Sequence, residues 1–250
     1  MYYHFCFSPT GGTEKAASIL ARSISSTWEH VDLCKPVNAP ALTQEDICLV
    51  SVPSYGGRVP GTAVERLRPI QGNGARAILV CAYGNRAWED TLTELQVTLE
   101  SCGFVCVAAA AAVAEHSIFR QFAAGRPDQE DTQQLECFAA KIQKKLDSGD
   151  RTTPALPGNH GTYREYASVP FKPEGNNRCV HCGLCAKSCP VSAIDPENPQ
   201  KTDKNLCISC MLCVQLCSKH ARDLNPLLLK GAGLAMKKKF SERKANDLFL

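Results

Sequence analysis

The chain has 250 residues, 44% of them hydrophobic and 21% charged, with a formal net charge of +3; this composition supports one large globular domain or two small ones and excludes a disordered or fibrous chain. The longest apolar run, Phe104–Ala114, falls well short of the roughly 20 residues that a bilayer-crossing helix needs, so no membrane span is expected. Met1–Ser8 carries no basic flank, no long apolar stretch and no small-residue cleavage site, so it does not read as a signal peptide and a cytoplasmic location is expected.

Tyr2–Phe7 is a short apolar, β-prone run ending at Ser8-Pro9-Thr10-Gly11-Gly12-Thr13, after which Glu14–Thr27 carries Ala, Ile and Leu at helical spacing. Val31–Leu33 reads as a short strand and Ile47–Val52 as a buried one, followed by the loop Pro53–Gly61 and a helix over Thr62–Leu67. Ala77–Ala82 is a further buried strand, with the loop Tyr83–Arg86 and a helix over Trp88–Glu100. Phe104–Ala112 is a fifth strand, and Thr132–Leu146 a closing helix rich in Lys and Gln. Short apolar strands alternating with helices imply parallel βαβ units whose sheet is covered on both faces. Five such strands resemble the flavodoxin-like doubly wound α/β sheet, with strand order 2-1-3-4-5.

This α/β domain is expected over residues 1–148. Residues 149–177, with Pro154, Pro157, Pro170 and Pro173, read as a linker. Residues 178–225 are short and polar, and a core of that size rarely holds itself together without a staple. Residues 226–250 read as a tail with a helical middle and an apolar end, Leu248-Phe249-Leu250. Charge divides the chain near the linker: residues 1–150 hold 13 Lys+Arg and 17 Asp+Glu, residues 151–250 hold 15 and 8. A basic C-terminal part suits nucleic acid, an acidic partner or a solvated face. Lys237, Lys238, Lys239, Arg243 and Lys244 read as a solvated helical face, and because no recognition-helix pattern accompanies them, nucleic acid is not expected as a partner.

Fifteen cysteines in a chain without a signal peptide point to a reducing compartment and a metal site rather than a disulfide scaffold. Cys6, Cys34, Cys48, Cys81, Cys102, Cys106 and Cys137 are scattered singly and read as buried, inert thiols. The other eight form two matching runs, Cys179-x2-Cys182-x2-Cys185-x3-Cys189-Pro190 and Cys207-x2-Cys210-x2-Cys213-x3-Cys217, with Ser218 where the first has proline. Two-residue spacing lets three thiolates wrap one iron–sulfur cube, while a ligand three residues further on points to a second cube. Cys179, Cys182, Cys185 and Cys217 are therefore expected to hold one [4Fe–4S] cluster, and Cys207, Cys210, Cys213 and Cys189 the other. Zinc is the competing reading, but structural zinc sites present two separated pairs and not three consecutive cysteines and a fourth.

The Ser8–Thr13 loop offers hydroxyls at Ser8, Thr10 and Thr13, the flexible Gly11 and Gly12, and free amides at a helix start, which together suit a terminal phosphate. It is neither a P-loop nor a dinucleotide fingerprint. Pro53-Ser54-Tyr55-Gly56-Gly57-Arg58 and Tyr83-Gly84-Asn85-Arg86-Ala87-Trp88 follow the third and fourth strands, so three polar, glycine-bearing loops are expected at the switch point of the sheet. Tyr55 and Trp88 could cover the two faces of a planar ring, although each aromatic alone is more often core packing.

These loops resemble the phosphate and ring-stacking loops of flavodoxins, with Gly12 where flavodoxins commonly have Asn. Together with the cysteine runs, and with Tyr83–Ala87 and Glu115–Ser117, the chain is similar to the flavodoxin–ferredoxin fusion electron carriers of anaerobic bacteria. The resemblance implies FMN held by Ser8, Thr10, Gly11, Gly12, Thr13, Pro53, Ser54, Tyr55, Gly56, Gly57, Tyr83, Gly84, Asn85, Arg86 and Trp88, a small α+β dicluster ferredoxin-like second domain, and redox proteins as partners; it leaves oligomeric state open. His116 is expected to be a loop histidine satisfied by backbone, and His181 and His220 to have surface roles. A flavin-dependent reductase of a small substrate, drawing on His116, Arg58 or Arg86, is the alternative; an iron–sulfur regulator would rest only on the basic tail.

Overall fold

A computed structural model describes residues 1–166 and 169–250. Five parallel strands, β1 (Tyr2–Cys6), β2 (Glu29–Asp32), β3 (Ile47–Pro53), β4 (Arg76–Tyr83) and β5 (Val105–Val113), lie in the order β2-β1-β3-β4-β5. This is the flavodoxin-like doubly wound sheet, with its switch point between β1 and β3. Helices α1 (Gly12–Ile24) and α4 (Gln129–Asp147) cover one face, where Ala16, Ala17, Leu20, Leu135 and Ile142 pack on Leu49, Val80, Ala108 and Ala110. Helices α2 (Gly61–Leu67) and α3 (Thr91–Ser101) cover the other, over Phe5, Val50, Leu79 and Ala109.

The run of alanines in β5 is fully buried on both faces. Its small side chains leave room for bulky neighbours above and below. Helix α4 starts in a capping box, in which Asp128 accepts from the Asp131 amide and Asp131 from the Asp128 amide. Asp131 is also the buried partner of Arg126.

The C-terminal residues form more than a tail. Helix α7 (Pro226–Phe240) leads to a short strand β8 (Asp247–Phe249) that pairs antiparallel with β5, Ala109 opposite Phe249, so the five expected strands gain a sixth at the open edge. Between α4 and α7, residues 151–166 run over the sheet domain, and a small region follows with the two-stranded pair β6 (Glu174–Gly175) and β7 (Arg222–Asp223) and two single-turn helices, α5 (Leu184–Lys187) and α6 (Leu212–Gln215). Among the described residues no helix is long and apolar enough to cross a membrane.

Candidate cofactor sites

The two cysteine runs, twenty-eight residues apart, fold into two copies of one unit. Helix α5 follows the left-handed Gly183 (φ 72°) and α6 the left-handed Met211 (φ 64°). His181 (φ 54°) matches Ser209 (φ 56°), and Ser192 (φ 52°) matches His220 (φ 46°). Non-glycine residues adopt positive φ only where the surroundings demand it; here the demand recurs at the same offsets from the cysteines. Backbone amides are aimed at sulfur in both units: Ala193 N donates to Cys189 Sγ (3.3 Å) and Ala221 N to Cys217 Sγ (3.2 Å). Such bonds stabilise cluster sulfurs and tune their potential.

The units are also intertwined. β6 precedes the first run, yet its partner β7 follows the second, while Ile194 after the first run bridges to Thr202 before the second. Cys189, the last cysteine of the first run, is thereby carried to the second run. Cys189 lines one cavity with Cys207, Cys210 and Cys213, closed by Pro190, Ile194, Ile208 and Met211. Four thiols on an apolar wall suit a cube bound by four thiolates. Among the described residues no three Cys, His, Asp or Glu side chains converge as they would on a single ion. Burial pushes the thiols of Cys185, Cys210 and Cys213 up, so their deprotonation requires the positive charge that iron supplies. Cys217 is the exception: against the effect of burial, amide donors including those of Ala221 and Lys219 hold it below the ordinary thiol value.

Buried Arg222 sits among these elements, its Nη2 donating to Pro173 O (2.7 Å) and its Nη1 to Pro199 O. Its charge is felt by Cys185, Cys213 and Cys217. It joins the strand ends of both units, and only its place five residues beyond Cys217 signalled it in the sequence.

In the sheet domain, the first loop turns through Gly11 (φ 80°), and Glu14 N donates to Ser8 Oγ (2.9 Å). Helix α1 thus starts directly after this Ser/Thr/Gly turn, and a helix N-terminus favours a phosphate. A Cβ at Gly12 would meet Ala114 only at 3.7 Å, so the close turn does not exclude a side chain there. The second loop is a tight reversal: Tyr55 N donates to Arg58 O (2.9 Å) across Gly56 (φ 63°) and Gly57 (φ 88°). Glu89 lies so close to Gly57 that any Cβ there would overlap it. Asp90 N donates to Gly57 O (3.0 Å) and Thr91 Oγ1 to Ser54 Oγ (2.8 Å), which ties the second loop to the third.

The third loop turns toward the chain's C-terminal segment. Buried Asn85 donates to Phe240 O and Glu242 O and accepts from Lys244 N, while Tyr83 Oη donates to Ala245 O. Gly84 lies under His116, where a Cβ would clash. Trp88 stands edge-on to Phe249 at 5.8 Å, and Arg86 pairs with Glu89. Tyr55 instead faces the cysteine-rich region: burial drives its phenol well above the ordinary value, and the charges of Cys210, Cys34 and Cys207 add to the shift. Ile208 packs on the same core cluster as Tyr55 and Cys34. Arg66 bridges the regions, donating to Leu33 O (2.5 Å) and Pro190 O (2.7 Å). Arg66 and Cys34 carried no motif in the sequence and join the site only through the fold.

The groups considered for substrate chemistry are all engaged. His116 packs against Phe119 and Phe240, its Nδ1 accepts from the amides of Ile118 and Phe119, and burial lowers its pKa to about 4. It is thus neutral at pH 7, with its one ring proton on Nε2. Arg58 forms a two-point ion pair with Glu94 and lies between the rings of Tyr163 and Tyr166.

Residues 177–222 match the family model for a 4Fe-4S dicluster domain. This match gives the chain two [4Fe–4S] clusters, the equipment of electron transfer. No curated protein matches the chain. Among solved structures it is similar to flavodoxin 1 from Bacillus cereus (19% identity, 57% of this chain and 97% of that one, TM-score 0.44). It is also similar to a Streptococcus pneumonia flavodoxin (20%, 58% and 99%, 0.40) and to an FMN-dependent NADH-azoreductase from Bacillus anthracis (14%, 57% and 99%, 0.38).

Proposed function

We propose that the sheet domain binds FMN and that the chain passes electrons between this flavin and its two clusters, converting one-electron exchange with redox proteins into two-electron flavin chemistry. Ser8, Thr10, Thr13 and the α1 amides would hold the phosphate, and the Tyr55 and Tyr83–Trp88 loops would flank the ring. Bound there, FMN supplies the two-electron store. The clusters would be ligated crosswise, Cys179, Cys182, Cys185 with Cys217 and Cys207, Cys210, Cys213 with Cys189. The observation that carries the reading is the position of the second run, whose Ile208 packs on the same core cluster as Tyr55 in one of the loops at the switch point. A cluster held by this run would lie beside the loops proposed to hold the flavin. The reductase alternative is less well supported, because His116 packs against Phe119 and Phe240 with its Nδ1 taken up by the amides of Ile118 and Phe119.

The test is rapid mixing of the FMN-loaded protein with a chemical reductant of the clusters. Flavin reduction should follow cluster reduction within one molecule, at a rate independent of protein concentration. Flavin that never follows the clusters would overturn the proposal. FMN should also bind more tightly than riboflavin by several kcal/mol, from charge-assisted hydrogen bonds at about 1.5–3 kcal/mol each.

A further inference from the structure

Matching positions of the two cysteine units have opposite fates. In the second, Ser209 (4% exposed), Cys210 (8%) and Met211 (4%) are buried and Ile208 packs on the sheet-domain core. In the first, Val180 (60%) and Leu184 (45%) are open, and His181 and Cys182 are exposed with them. The surface that the second unit turns to its own sheet domain is thus presented to solvent by the first.

Within the two cysteine runs the charge has one sign. Neither 178–193 nor 207–222 contains an Asp or Glu, whereas Arg178, Lys187 and Lys219 are exposed there. Lys219 belongs to the same surface, because Asn176 N donates to Ala221 O (2.8 Å), which sets residues 219–221 against the start of the first run. Carboxylates flank the two runs at Glu174 and Asp223 on the β6–β7 pair and at Asp195 and Glu197 in the turn after the first run, and Glu174 is bound to Lys204.

Resting on the electron-transfer reading above, we infer that the face formed by Arg178, Val180, Cys182, Leu184, Lys187 and Lys219 docks a small acidic one-electron carrier protein. Apolar Val180 and Leu184 supply the contact centre and the cationic rim supplies steering and orientation. In each encounter the partner's redox centre loses one electron and this chain's outer [4Fe–4S] cluster gains it, passing from the 2+ to the 1+ level without proton transfer. The electron then continues to the inner cluster and the flavin loops.

The experiment compares two electron donors by stopped flow on the holoprotein: a chemically reduced, acidic bacterial ferredoxin, and dithionite. With ferredoxin the second-order rate of cluster reduction should fall at least tenfold between about 50 and 500 mM salt. The variant Arg178→Glu/Lys187→Glu/Lys219→Glu, with its iron content and visible spectrum intact, should lose a further factor of about ten at low salt and show the opposite salt trend. Its clusters should still pass electrons to flavin after dithionite, which separates failure at this surface from failure of the carrier function. Undiminished reduction of the variant by ferredoxin overturns the docking assignment and leaves the carrier function standing. A concentration-dependent dimer of the wild type that the variant loses also overturns it, since the face would then belong to a second copy of this chain.

Discussion

The sheet domain and the cysteine-rich region are stabilised in opposite ways. The former buries dozens of apolar side chains on two faces of one sheet, in clusters drawn almost entirely from its own strands and helices. The latter shares its main apolar cluster with others: Met211 and Leu224 are joined there by Phe119 and Phe122 from the sheet domain, Phe171 from the preceding segment, and Phe240 from α7. Its remaining order is invested in left-handed turns and cysteine sulfurs. A region that buries so little of its own surface depends on metal for its fold, and the comparison teaches that a single chain can carry one metal-independent and one metal-dependent half.

Removing iron breaks the comparison most directly. Amides of residues 174–224 should lose hydrogen-exchange protection, whereas those of β3, β4 and β5 keep theirs, as exchange mass spectrometry would read. Leu79→Ala is the complementary lesion. It empties a fully buried site in β4 and should cost about 2–5 kcal/mol in denaturant unfolding of the sheet domain, with the visible spectrum of the clusters unchanged before the transition.

Acid sharpens the contrast. His4, buried in β1 against Ser51 Oγ (2.8 Å), has its pKa lowered to about 4 by burial and by nearby His30. The unfolded chain, with an ordinary histidine value, binds that proton first. Stability should therefore rise with pH between about 4 and 6.5 and fall on acidification through the same window, by about 3 kcal/mol for this group. His4→Gln should flatten the slope of the unfolding midpoint against pH. The smallest effect is expected at the exposed Glu174–Lys204 pair (3.0 Å), where Lys204→Ala should move stability by no more than about 1 kcal/mol.

Most of the five-strand sheet was legible because its strands are apolar runs long enough to declare themselves, and Ile47–Val52 and Ala77–Ala82 fall within one residue of the observed β3 and β4 at each end, whereas the polar β2 (Glu29–Asp32) overlaps the expected Val31–Leu33 at only two residues. The cysteine runs were legible through spacing alone. β8 was not, since three residues ending in Leu248 and Phe249 acquire strand character only from pairing with β5. Nor could sequence show what Asn85 and Trp88 meet: their partners, Phe240 O, Glu242 O and Asp247, lie more than 150 residues away in the chain. Arg58 read as one more polar residue of a glycine loop, whereas long-range contacts enclose it between Glu94 and two tyrosines.

The return of the chain to β5 through β8 makes the cysteine-rich region an insertion within the sheet domain rather than an appendage to it. It is moored at two points, by the segment leaving α4 and by the register of Asp247, Leu248 and Phe249 on Ala111, Ala110 and Ala109. A protease nick at exposed positions such as Asn159 or His160 would sever one mooring and leave the halves associated through the other. Swinging on a single tether is replaced by a short, fixed span, so the separation of the two halves is held by backbone pairing and not by linker length.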